Sequence, residues 1–167
     1  MKAIALLACG GTIDKDYNAL SGELDFAQSY LPELLKQARH QLNLRLETLM
    51  LKDSLDMTQT DRECILNACL KAPERLIVIT HGTDTLTQTA EYLEQHLVDQ
   101  ISLQKTIVLT GAMRPFRLAE SDASFNLGAA LMAVQTTRPG VYVCMNAQLF
   151  KAHQVKKNRQ LGVFEAH

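Results

Sequence analysis

The sequence predicts an α/β protein built on an open, doubly wound, mostly parallel sheet with helices on both faces, the three-layer arrangement of flavodoxin and Rossmann folds. Three observations carry this. Short apolar runs alternate with helical patterns along the whole chain, the connections between them are only a few residues long, and no linker, repeat or low-complexity tract interrupts the series. The run Leu76-Ile77-Val78-Ile79, with charge before it and glycine after, has the character of a strand covered on both faces.

The first strand is Ile4 to Ala8, feeding Gly10-Gly11-Thr12 and then a loop rich in glycine, aspartate and asparagine through Gly22. Asp25 with Gln28 makes a capping-box pattern, and Phe26, Tyr30, Leu34, Ala38 and Leu42 recur at steps of four on one helical face. Leu44 to Leu49 alternates with polar residues as a second strand, and Lys52 to Asp56 is a polar loop. Thr60 with Glu63 caps a helix carrying Ile65, Ala68 and Cys69. Strand three, Leu76 to Ile79, leads to Thr85 with Gln88, a further box opening a helix with Leu86, Ala90, Leu93 and Leu97 on one side. Thr106 to Leu109 is the fourth strand, Phe125 to Val134 a helix capped near Ser121 or Asp122, and Val141 to Cys144 the fifth strand. Five β–α steps result. The stretch from Asn146 to His167 shows few helical signals and reads as extended or hairpin-like.

With 167 residues the chain has the size of one domain, 1–167, long enough to bury a core without a metal or disulfide staple. Lys plus Arg total 17 against 18 Asp plus Glu, so the flat charge balance argues against nucleic acid or an anionic membrane surface as partner. No apolar stretch approaches the roughly 20 residues of a membrane span. The N-terminal apolar run is too short for a leader and ends in glycines, so a cytoplasmic location is expected. Cys9, Cys64, Cys69 and Cys144 form no CxxC pair and no metal spacing with histidine, so no metal site is expected.

Ligands of open parallel sheets bind beyond the carboxyl ends of the strands. Those ends carry Gly10-Gly11-Thr12, Asp53-Ser54, His81-Gly82-Thr83-Asp84-Thr85 and Gly111-Ala112-Met113-Arg114-Pro115, which suits a small polar substrate. The Gly10-Gly11 pair permits a sharp turn and offers N–H groups to an oxyanion; the plain alternative is a tight turn. Neither GxGxxG nor GxxxxGK[ST] is present, so a nucleotide site has little support. Asp84 is suited to an ammonium group, and Thr83 to nucleophilic attack or water alignment if another group takes its proton. Thr85 reads as an N-cap, and His81 as a residue that holds the loop by hydrogen bonds.

Ala8-Cys9-Gly10-Gly11-Thr12-Ile13, Ile79-Thr80-His81-Gly82-Thr83-Asp84-Thr85, and Thr110-Gly111-Ala112-Met113-Arg114-Pro115 with Asn126-Leu127 downstream resemble the motifs of bacterial-type L-asparaginases. The resemblance runs over the whole chain and covers the N-terminal domain of members about twice as long. It implies a hydrolase of the side-chain amide of asparagine, with glutamine as a possible second substrate, that needs no metal or organic cofactor. Carried onto matching positions, Thr12 is the nucleophile of an acyl-enzyme pathway. Thr83, Asp84 and Lys157 are the second constellation, with Asp84 binding the substrate ammonium. Ser54 holds the α-carboxylate, Gly11 contributes to substrate binding, and Tyr17 is the counterpart of the flexible-loop tyrosine. Lys157 is selected from Lys151, Lys156 and Arg159 by its spacing from Met145-Asn146; otherwise it belongs to a solvated basic cluster.

The sequence departs from the family at several places. Cys9 replaces a usual threonine, Leu55 a polar residue that helps hold the substrate, and Ala123-Ser124 a Gly-Pro. The C-terminal domain has no counterpart in the sequence, and a homo-oligomer whose subunits cover each other's strand ends is expected. The readings left open are an active asparaginase, a glutaminase or other small-amide hydrolase, and a catalytically silent amino-acid-binding or interaction module.

Overall fold

The computed structural model describes residues 2–98 and 104–167. Met1 of the N-terminal run lies outside the described residues. The elements are β1 (Ile4–Gly10), β2 (Asp16–Tyr17), β3 (Leu24–Asp25), α1 (Leu31–Ala38), β4 (Leu44–Lys52), α2 (Gln59–Lys71), β5 (Leu76–Thr80), α3 (Leu86–Val98), β6 (Thr106–Thr110), α4 (Ala123–Thr136), β7 (Gly140–Met145), β8 (Gln148–Lys151), β9 (Val155–Asn158) and β10 (Val163–Ala166).

The main sheet runs β4-β1-β5-β6-β7-β8, parallel except for β8. Successive side chains of a strand point to opposite faces, so each strand feeds two cores. Ile4, Leu6 and Ala8 pack with Leu31, Leu34, Leu127 and Val134 under α1 and α4. Ala5, Leu7 and Cys9 pack with Ile65, Cys69, Leu86 and Leu93 under α2 and α3. Cys9 is thus a buried core residue, and burial pushes its thiol well above the ordinary range.

Several element boundaries differ from expectation. The first helix begins at Leu31 rather than near Phe26, because residues 16–25 form the β2–β3 hairpin and the Asp25 carboxylate accepts from Asn18 Nδ2 there. The helix also ends before Leu42, turning at Arg39 in the left-handed region. Pro32, pre-set for a first helical turn, was the available sign of the true start. The cap of α2 is Thr58 with Asp61, not Thr60 with Glu63. Asp61 accepts from Thr58 N at 2.7 Å and is also gripped by Lys52, which pulls its carboxyl down to about 2. Thr85 directly precedes α3, but its hydroxyl donates to Ser54 O at 2.8 Å rather than serving as a simple cap.

Four β–α steps are present, not five. After β7 the chain reverses through Asn146 and Ala147 into antiparallel β8, then forms the separate β9–β10 hairpin. This arm packs Phe150, Ala152, Val155 and Phe164 into the core beneath α3. It is the extended stretch the sequence predicts.

Candidate active site

The winding reverses at β1: the chain goes from β1 out to β4, then crosses back to β5 on the other side. The loops after β1 and β5 therefore leave adjacent strands in divergent directions, the crevice where open α/β sheets bind ligands. Those two loops are Gly11-Thr12 and His81-Gly82-Thr83-Asp84.

Glycine lets the loops meet. Gly11 has φ 78° and ψ −179°, a conformation essentially restricted to glycine. A Cβ on it would lie 2.3 Å from Gly82 N. A Cβ on Gly82 would in turn lie 2.6 Å from Ser54 Oγ, so three loops stack backbone on side chain with no room between them. Thr12 and Thr83 each directly follow a glycine of this contact. The expectation that Gly11 offers its N–H to an oxyanion fails, because that N–H donates to Lys52 O at 2.9 Å.

The loop after β5 is held from below by His81. Its Nδ1–H donates to Gly82 O at 2.8 Å and its Nε2 accepts from Thr89 Oγ1 at 2.9 Å. The ring is fully buried, and burial lowers its pKa to about 4, so it is a neutral strut rather than a base. His81 N also donates to Thr110 O, tying the loop to β6.

Above that strut, Lys157 Nζ donates to Thr83 Oγ1 at 2.8 Å and to Asp84 Oδ1 at 2.9 Å. Thr83 is buried and Lys157 nearly so, while about a third of the Asp84 side chain faces solvent. The lysine arrives from β9, 74 positions along the chain from Thr83. Its cross-strand partner on β10 is Phe164, whose ring is buried and whose N–H donates to Asn146 Oδ1 at 3.0 Å. Asn146 N donates to Asn126 Oδ1, and Asn126 Nδ2 donates to Gly111 O. A polar chain thus ties the arm that carries Lys157 to the loop after β6. A second ion pair lies nearby: Lys15 Nζ donates to Asp53 Oδ2 at 2.6 Å and holds that carboxyl below its ordinary range.

Thr12, Gly11, Ser54, Thr83, Asp84 and Lys157 all belong to the carboxyl-end loops or to the arm folded against them. The side chains of Ser54 and Tyr17 make no hydrogen bond to the other expected site residues among the described residues. Ser54 is 2% exposed and its hydroxyl has no hydrogen-bond partner among the described residues. Tyr17 is 58% exposed on the β2–β3 hairpin. It lines a shallow cavity of about 530 Å³ with Asp16, Asn18, Asp25, Phe26 and Tyr30, in which none of the other expected site residues takes part. The loop-fixing role of Asn126 and Asn146 and the Lys15–Asp53 pair were absent from the sequence reading. Asn146 sits at the hairpin turn and Asn126 inside an apolar helix, which were the signals on offer.

Fold and site together define a doubly wound α/β protein with a threonine–lysine–carboxylate cluster at its switch point. The chain belongs to the asparaginase family: the family model "Asparaginase, N-terminal" matches residues 3–164. It is 30% identical over 179 residues to the probable periplasmic L-asparaginase of Haemophilus influenzae, covering 98% of this chain and 48% of that protein. It is also 30% identical over 166 residues to the glutaminase-asparaginase of Acinetobacter glutaminasificans, covering 92% and 49%. The thermostable L-asparaginase from Thermococcus kodakarensis superposes with a TM-score of 0.83 at 28% identity, covering 98% of this chain and 51% of that one. The chain spans about half the length of these relatives.

Proposed function

We propose that the chain hydrolyses the side-chain amide of L-asparagine to L-aspartate and ammonia through a threonine acyl-enzyme. The observation that carries this reading is the Lys157–Thr83 contact at 2.8 Å with Asp84 on the same ammonium. A solvated basic cluster has no need to bury one lysine side chain to 9% exposure against a hydroxyl.

In this reading Thr12 Oγ attacks the amide carbon, the C–N bond breaks, and the nitrogen leaves as ammonia carrying the proton that the Thr12 hydroxyl gives up. A water molecule then attacks the ester. The charge that develops on the carbonyl oxygen needs a fixed donor. With Gly11 N–H committed to Lys52, that role passes to the next N–H in the loop, Thr12's own. Thr83 Oγ1 accepts from Lys157, so the threonine's own proton is directed elsewhere, toward the leaving nitrogen or the incoming water. The lysine offsets the negative charge that develops on Thr83 Oγ1 as that proton leaves. Asp84 binds the substrate ammonium. Ser54 and Gly82 form the floor that sets the loop positions, and Tyr17 on the hairpin closes over the substrate from the Thr12 side.

A homo-oligomer fits the same reading. Six large apolar side chains exposed to solvent leave the carboxyl-end loops or the β9–β10 turn: Tyr17, Leu20, Leu24, Leu55, Met113 and Leu161. A cytoplasmic location is supported by four unpaired thiols, since oxidising compartments favour disulfides. No helix among the described residues is long and apolar enough to cross a membrane.

Ammonia release from L-asparagine, L-glutamine and simple amides tests the reading, with Thr12→Ala and Thr83→Ala alongside. Each variant is expected to lose at least about 100-fold in kcat, the usual scale for losing a catalytic group. Wild-type-like turnover in either removes that residue from the mechanism. A rate on glutamine equal to that on asparagine favours the glutaminase reading.

A further inference from the structure

Lys157 reaches Thr83 from a strand that the main sheet does not hold. Among the described residues β9 pairs with β10 alone, so the ladder that aligns the parallel strands gives the arm no register against the loop after β5. The 2.8 Å contact between Lys157 and Thr83 needs another reference. Phe164 provides the first part of it. It lies opposite Lys157 in the β9–β10 ladder, and antiparallel partners project to the same face. Its N–H donates to Asn146 Oδ1 at 3.0 Å instead of serving the ladder, the mark of a non-hydrogen-bonded pair, in which side chains stand closest.

Asn146 is held in turn. Its N–H donates to Asn126 Oδ1 at 3.2 Å, and Asn126 Nδ2 donates to Gly111 O at 3.1 Å and to Asp122 Oδ2 at 2.9 Å. Asn126 is 1% exposed, in a helix that has no charged residue. Gly111 closes the circuit, since a Cβ there would lie 2.4 Å from His81 O and 3.4 Å from Thr83 Cγ2. Both partners of the Lys157–Thr83 contact are therefore located from Asn126: Thr83 through Gly111, and Lys157 through Asn146 and Phe164. Asn146 is the link with a single duty. It stands at φ 53°, and among the described residues its side chain makes one hydrogen bond, the one it accepts from Phe164 N.

We propose that Asn146 is a positioning residue: through Phe164 it sets the Lys157 ammonium against Thr83, without itself touching the substrate. The kinetic consequence rests on the amidohydrolase reading above. Without the acceptor the arm is free to slide on its apolar footing, and a misplacement of about 1 Å is enough to cost a catalytic group up to about 100-fold. Asp84 sits on the loop that His81 holds from below, so the loss falls on turnover more than on substrate binding.

Two variants isolate this role. Asn146→Gly keeps the positive φ and removes the acceptor, whereas Asn146→Asp keeps the acceptor. Asn146→Gly is expected to lower kcat for L-asparagine by about tenfold or more with KM within about threefold, and Asn146→Asp to stay within about threefold of wild type in both. Acetylation by acetic anhydride, followed by mass spectrometry, reads the position of the lysine without turnover. Lys157 has 9% of its side chain exposed and Lys156 56%, and Lys105 is buried at the opposite end of the sheet against Ala72 O and Glu74 O. In Asn146→Gly, Lys157 is expected to react about fivefold faster relative to Lys156 while Lys105 stays as slow as in wild type, the pattern of a local opening. A Lys157 as slow in Asn146→Gly as in wild type overturns the proposal. So does equal acceleration of Lys105, which marks general loosening, or an Asn146→Asp as impaired as Asn146→Gly. In an active enzyme, a kcat for Asn146→Gly near that of wild type overturns it too. If wild type releases no ammonia, the hydrolase reading fails by itself, and the acetylation of Lys157 against Lys105 then judges Asn146 alone.

Discussion

At the scale of single residues, burial decides what each polar group does. Thr83 and His81 stand two positions apart in one motif, yet one faces Lys157 and the other is sealed in the core. The histidine carries a testable signature. Its ring has a folded-state pKa near 4 against 6.5 for the free side chain, so the unfolded chain binds the extra proton first as pH falls. The stability it contributes is fully present above pH 6.5 and is lost toward pH 4. Between pH 7 and pH 5 the loss from this one group is expected to be about 2 kcal/mol. Denaturant titrations across that range check it, and His81→Gln should flatten the slope; an equal slope in the variant removes His81 as its source. The sequence alone favoured His81 as a residue that holds its loop over His81 as a base, and its two buried hydrogen bonds do hold that loop. It did not show that Ser54 is buried, since that depends on Gly82 lying against it from the loop after β5.

Among the elements, those buried on both faces were the most legible. β5 and β6 extend only one residue past their apolar runs, because each must satisfy the same pattern on two sides. α1 was misplaced because Phe26 and Tyr30 continue its spacing by chance while Asn18 and Asp25 pull the preceding residues into a hairpin. α2 is capped by Thr58 with Asp61 in place of the expected Thr60 with Glu63, and Asp61 has a second partner in Lys52. The β7–β8 turn yields a prediction of its own. Asn146 and Ala147 both have positive φ, 53° and 61°, the arrangement of two-residue hairpins that favours Asn-Gly. Asparagine tolerates this and alanine does not, so Ala147→Gly is expected to stabilise the protein by about 1 kcal/mol. Thermal unfolding should show a midpoint raised by about 2–4 °C, and a fall would mean that the turn is not strained at that residue.

For the whole molecule, the fold was readable and the assembly was not. Alternating runs and short loops sufficed for the open sheet, whereas the arm that delivers Lys157 had no periodic signal and was placed by Phe164, Asn146 and Asn126 from distant parts of the chain. Six exposed apolar side chains around the carboxyl-end edge of the sheet lead to the expectation of a dimer or larger oligomer at micromolar concentration. Light scattering during size-exclusion chromatography checks this; a monomer at 50 µM (roughly the range where weak dimers persist) would leave that edge uncovered. The arm has a consequence in time as well as in space. Every strand of the parallel sheet, with Thr12 and Thr83 already in it, is synthesised before Val155 to Ala166. A nascent chain therefore holds both threonines before it has the lysine whose ammonium contacts Thr83. The order of the chain itself delays the Lys157–Thr83 contact until the sheet beneath it has been made.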